Sequence, residues 1–150
     1  MSGNGEETIL AATAVLADAK VAPELESEAR HYRSKALVEA NQLAHAVADW
    51  EALAKDTRNV YGAEAKYRLA QYLFDTGKTK EAEQEVLNYL EVSTPHAYWL
   101  ARSFVLLSDI YAKLDRKLEA RQYLLSLKQN YQADDDIAGM IESRLENLSE

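Results

Sequence analysis

The residues that could do chemistry are few and widely separated. His31, His45 and His96 fall on three different segments, and no His-Glu-x-x-His spacing joins any of them. His45 and Asp49 stand at i, i+4, which puts an imidazole and a carboxylate on one helical face. Two ligands do not complete a metal site, so the pair reads as structural. Asp134-Asp135-Asp136 lacks the spaced ligands and central glycine of a calcium loop. It reads as negative charge at a helix start, where the dipole favours it. Gly3 and Gly5 lie in a polar tail and not in a phosphate loop after a strand. No cysteine is present in 150 residues, which excludes thiol catalysis, disulfides and Cys-ligated zinc or iron–sulfur sites. The expectation is therefore no catalytic residue, no metal and no cofactor.

Charge and composition narrow the partner classes. The formal charge is −8, from 25 acidic against 17 basic residues, so a phosphate backbone is repelled on average and nucleic acid is not expected. No run approaches the roughly 18 apolar residues of a membrane span. Met1 to Glu7 is polar and acidic, unlike a signal peptide. The absence of cysteine suits cytoplasm and periplasm alike. Apolar residues at 47% and charged residues at 28% describe a chain that folds. With 24 alanines against 5 glycines and 2 prolines, it should fold as helix.

Stepping along the chain at a 3.6-residue period predicts about eight helices and no strand: 6–20, 24–40, 43–56, 60–76, 79–93, 96–114, 117–131 and 135–148. Pro23 suits the first position of its helix, after an extended Ala22. Thr94-Pro95 predicts an N-cap followed by that first position. Asn41 and Gly77 tolerate the left-handed conformation needed where one helix turns into the next. The linkers are short, so consecutive helices should pack as antiparallel hairpins.

A repeat runs through these elements. Ser34, Ala70 and Ser108 each stand twelve positions before an alanine, namely Ala46, Ala82 and Ala120. The same frame aligns Leu37, Leu73 and Tyr111 after the first small residue, and Trp50, Val86 and Leu124 after the second. Small side chains let the two helices of a hairpin approach closely, and the larger ones fill the volume on either side. Trp50, Tyr72, Tyr89, Tyr111 and Tyr123 should therefore serve packing. The repeat steps are 36 and then 38, and the extra length is expected between hairpins.

This pattern resembles the tetratricopeptide repeat family. Leu69-Ala70-x-x-Leu73 with Ala82-x-x-x-Val86, and Leu107-Ser108-x-x-Tyr111 with Ala120-x-x-x-Leu124, match its two-helix motif. Arg33-Ser34-x-x-Leu37 with Ala46-x-x-x-Trp50 is the weakest copy, and the family's tryptophan is replaced by Arg30, Lys66 and Phe104. The longer repeats also resemble envelope-associated members, and the C-terminal phrasing resembles the end of large Bacteroidota repeat proteins. The resemblance implies an all-α solenoid, a right-handed superhelix of hairpins, in a single domain over 1–150. Its parts would be a half repeat at 6–20, repeats at 24–57, 60–93 and 96–131, and a capping helix at 135–148. Residues 6–20 would lack a covering helix, leaving Ile9, Leu10, Val15 and Leu16 partly exposed or buried in a homodimer. The chain would then be the C-terminal piece of a longer array.

The resemblance also implies a binding groove on the first helices of the hairpins. Its positions here are Glu28, His31, Tyr32 and Lys35, then Glu64, Tyr67, Arg68 and Gln71, then Arg102, Val105, Leu106 and Asp109. The Lys/Asn/Arg set that clamps a peptide carboxylate in some members is missing. The expected function is a non-enzymatic scaffold that binds a peptide or partner domain, without nucleic acid or membrane insertion. The alternatives are an architectural segment, or an accessory domain, of a larger cell-envelope protein with no ligand of its own. A bacterial envelope or periplasmic setting is preferred to the cytoplasm.

Overall fold

Alanine-rich, glycine-poor segments broken by single residues that accept unusual backbone angles fold here into helices joined by minimal turns. The computed structural model describes residues 3–92 and 94–149; the expected end of one repeat at residue 93, residues 1–2 and residue 150 lie outside them. Among the described residues there are eight α-helices and no strand: α1 (Gly3–Leu16), α2 (Pro23–Glu39), α3 (Leu43–Leu53), α4 (Val60–Asp75), α5 (Thr79–Glu91), α6 (Ala97–Lys113), α7 (Lys117–Asn130) and α8 (Ile137–Leu148). The chain divides inside α4 into two compact units, Met1–Leu69 and Ala70–Glu150.

The clearest sign of repetition is a turn made three times. Asn41, Gly77 and Asp115 all take positive φ, at 60°, 85° and 61°. Around each, the next residue's N–H reaches back to a carbonyl five positions earlier: Gln42 to Leu37, Lys78 to Leu73 and Arg116 to Tyr111, all at 2.8 Å. The left-handed residue itself donates to Val38, Phe74 or Ala112. This is the Schellman arrangement, which satisfies carbonyls that a helix end would otherwise leave unpaired. The residue that closes it, Gln42, Lys78 or Arg116, is at once the N-cap of the following helix. Only three residues separate the two helices in each case. Asn41 and Gly77 were expected at such positions; Asp115 adds the third.

In the first unit α2 packs against both α1 and α3. Ser34 and Leu37 of α2 and Ala46, Trp50 and Leu53 of α3 are all buried. The start of α4 lies against the end of α3. A Cβ on Gly62 would stand 1.9 Å from the Asp56 carbonyl oxygen and 2.5 Å from that of Leu53, so only glycine fits. Leu10 on α1 is 71% exposed, in keeping with the expected partial exposure of this helix.

In the second unit α6 packs against α5, α7 and α8, and α7 also packs against α8. Ala70, Ala82, Ser108 and Ala120 are all buried, as are Leu106, Leu107, Ile110 and Leu124. The buried serines cost little: Ser34 Oγ donates to the His31 carbonyl at 2.8 Å, and Ser108 Oγ to that of Val105 at 2.6 Å. Ala101, Val105, Leu127, Ile137 and Ile141 form the core against α8. Arg116 crosses the unit, lying 4.4 Å over the Tyr111 ring and pairing with Glu119 and, at 3.4 Å, with Glu83 of α5.

Some expected boundaries move. α6 starts at Ala97 rather than at Pro95, because the Thr94 hydroxyl accepts the His96 N–H in a turn of its own. α8 starts at Ile137 rather than 135, because Asp135 Oδ1 accepts the Ile137 N–H before the helix begins. α1 ends at Leu16, followed by a turn in which Asp18 accepts from the Lys20 N–H. The longer second repeat step is carried largely by α5, 13 residues against 11 in α3, and not by the linkers.

Candidate functional site

The first unit brings five of the expected groove residues onto one surface. His31, Tyr32 and Lys35 project from α2, and Glu64 and Arg68 from α4, one turn apart. The centre of the surface is a residue that sequence reasoning missed. Tyr61, in the first turn of α4, stacks on His31 with ring centroids 4.1 Å apart and planes at 21°. Tyr32 meets His31 edge-on at 5.1 Å and Tyr61 at 6.4 Å. Tyr61 stands three residues before Glu64 and seven before Arg68, so the helical period marks the same face. The groove frame carried over from the family began at Glu64 and therefore skipped it.

Local structure explains why these side chains meet. The Asn59 side chain accepts the Tyr61 N–H at 2.8 Å and its carbonyl accepts the Ala63 N–H, which sets the first turn of α4. Gly62, beside Tyr61, lets that turn press onto the end of α3. On the other helix, Arg30 and Arg33 hold α2 to α3 through Asp49, which is 1% exposed. Arg33 Nε and Nη2 donate to the two Asp49 oxygens at 2.8 and 2.6 Å, and Arg30 Nη1 donates at 3.3 Å. His45 is exposed and lies 3.1 Å from Gln42, so His45 and Asp49 share no ligand.

The electrostatics of the aromatic face are mixed. Burial pushes the His31 imidazole below its ordinary value; Glu64 opposes this, while Lys35 and Arg68 add to it. The Tyr61 phenol is raised by burial, by hydrogen bonding with Tyr32, and by the charges of Glu28 and Glu64. Arg68 Nε pairs with Glu64 at 3.3 Å across one helical turn. The face thus offers rings, a hydroxyl-bearing edge at Tyr32 (45% exposed), and charges of both signs. Among the described residues no group of three or more His, Cys, Asp or Glu is placed to hold a metal ion.

Glu28 acts on Tyr61 from the same face, whereas the other expected groove residues lie elsewhere. Tyr67 is 3% exposed and belongs to the core of the first unit, so its ring is not presented for binding. Val105 and Leu106 are likewise core residues of the second unit. Gln71 donates to Asp75 at 2.8 Å. Arg102 donates to the Tyr98 hydroxyl at 3.0 Å and lies over the Tyr98 and Trp99 rings. Tyr98 in turn donates to Asp136 at 2.9 Å, so the acidic triplet is engaged in packing α6 against the start of α8. Asp109 pairs with Arg144 of α8 at 3.3 Å, lining a pocket in the second unit. Arg144 was not expected, because α8 read only as a cap. Its place three residues after the buried Ile141 is the signal that was available.

Compared with known proteins, the chain matches no protein-family model, no curated protein and no solved structure. Among the described residues, no helix is long and apolar enough to cross a membrane.

Proposed function

We propose that this chain is a non-enzymatic protein-interaction scaffold that docks a peptide or partner domain on the α2–α4 face of its first unit. The observation that carries the reading is the His31–Tyr61 stack, bordered by the exposed ring of Tyr32 and by Lys35, Glu64 and Arg68. Aromatic rings and guanidinium groups supply contact area and hydrogen bonds at little entropic cost, which is why they dominate interface hot spots. The threefold recurrence of one hairpin turn supports a tetratricopeptide-like repeat, and with it the stacking of hairpins into a right-handed solenoid. In that arrangement α2 and α4 are the first helices of successive hairpins.

The test is Tyr32→Ala combined with Arg68→Ala. Both side chains are at least partly exposed, so melting should change little. Capture of partners from the native host should fall tenfold or more, about 1.4 kcal/mol. Unchanged capture with an intact fold would favour the alternative, an architectural segment without a ligand of its own.

A further inference from the structure

The second unit contains a pocket of about 430 Å³ whose lining is unlike the rest of this acidic chain. Phe74, Ala112 and Leu148 give it an apolar wall, while its charged lining is Lys117 and Arg144 with a single carboxylate, Asp109, which Arg144 contacts. Two cations against one anion leave a local positive excess in a molecule of formal charge −8. The volume falls within the range of roughly 300–1,000 Å³ typical of ligand clefts.

The cations are incompletely used. Arg144 donates to Asp109 through Nε and Nη2 at 3.3 Å each, longer than the roughly 2.7–2.9 Å of tight charge-assisted bonds. In the Arg33–Asp49 pair of the same protein those distances are 2.8 and 2.6 Å. Arg144 Nη1 has no acceptor among the described residues, and Lys117 forms no ion pair among them. Asp109 therefore sits where an incoming carboxylate would sit, loosely enough to share the guanidinium.

We propose that this pocket binds a peptide segment through one carboxylate side chain, held between Arg144 and Lys117, with an adjacent apolar side chain against Phe74 and Leu148. The site is separate from the α2–α4 face and stands without the function proposed for that face. One carboxylate fits better than a polyanion, because the net charge of the molecule repels the latter while the pocket compensates only the former.

The probe is a fluorescein-labelled, end-capped peptide Ser-Glu-Leu-Ser-Gly, titrated into the full chain at low salt beside its Gln counterpart. The Glu peptide should bind at least tenfold more tightly. Lys117→Gln, which breaks no ion pair among the described residues, should weaken it at least fivefold with melting unchanged. Arg144→Gln should weaken it further. Asp109→Asn should tighten binding, because it removes the internal competitor; a purely structural pair would instead lower melting and leave affinity unaltered. Equal affinity for the Glu and Gln peptides, no binding at millimolar concentration, or an unaffected Lys117→Gln variant would overturn the proposal. Equally tight binding of N-acetylglutamate amide would overturn the peptide assignment in favour of a small-molecule site.

Discussion

Asp49 is 1% exposed, and two arginines one turn apart on α2 converge on it from the neighbouring helix. Nothing in the spacing of Arg30, Arg33 and Asp49 announces this. The family frame marks Arg30 only as a missing tryptophan, and the sequence pairs Asp49 with His45. Contacts between helices depend on how the helices are rotated, which local periodicity does not report. Removing one partner of a buried ion pair strands the other, so Arg33→Met should cost about 3 kcal/mol in urea unfolding. Arg33→Met with Asp49→Leu should recover much of that loss; a double variant as unstable as the single one would show that the clamp does more than satisfy a charge. His31 adds a dependence on pH. Its folded-state value is lowered, so below 6.5 the unfolded chain binds the proton more readily than the folded one. The stability contributed by neutral His31 is present above pH 6.5 and is lost as pH falls through that value toward the folded one. The melting temperature should therefore drop more steeply on acidification in the wild type than in His31→Gln, and parallel curves would contradict this.

At the scale of elements, the helices and two of their three hairpin turns, at Asn41 and Gly77, were legible, while the turn at Asp115 was not. Small residues at a fixed spacing and alanine-rich composition are local signals, and the positions they marked are buried. The starts of α6 and α8 were less so, because short polar side chains at Thr94 and Asp135 satisfy the backbone before the helix begins. Two glycines in helices give opposite expectations. Gly139 has open space around its missing Cβ, so Gly139→Ala should stabilise by about 0.5–1 kcal/mol. Gly62→Ala should instead destabilise by about 3 kcal/mol or more, because its Cβ would collide with backbone carbonyls that cannot step aside. The turns provide a third comparison. Asn41→Gly and Asp115→Gly should each relieve a left-handed residue and raise stability by up to about 1 kcal/mol, while Gly77→Ala should lower it by about 1–2 kcal/mol. Thermal melts of these five variants check the pattern of signs.

At the scale of the molecule, the expected groove separates by where its residues are held. His31, Tyr32, Lys35, Glu64 and Arg68 gather around Tyr61 in the first unit, whereas Arg102 and Asp109 are engaged inside the second. Helical position alone told which face a residue occupies but not whether that face is covered, which is why Tyr67 read as a binding residue and proved to be core. The central claim is that the α2–α4 face meets a protein partner. The most direct measurement is site-specific photo-crosslinking, with benzoylphenylalanine in place of Tyr32 or, as a control, in place of Leu125, which is 44% exposed on α7. Discrete protein adducts should form from position 32, be absent from position 125, and disappear when Lys35→Glu and Arg68→Glu are added. No adduct from position 32, or the same adducts from both positions, would contradict the docking face.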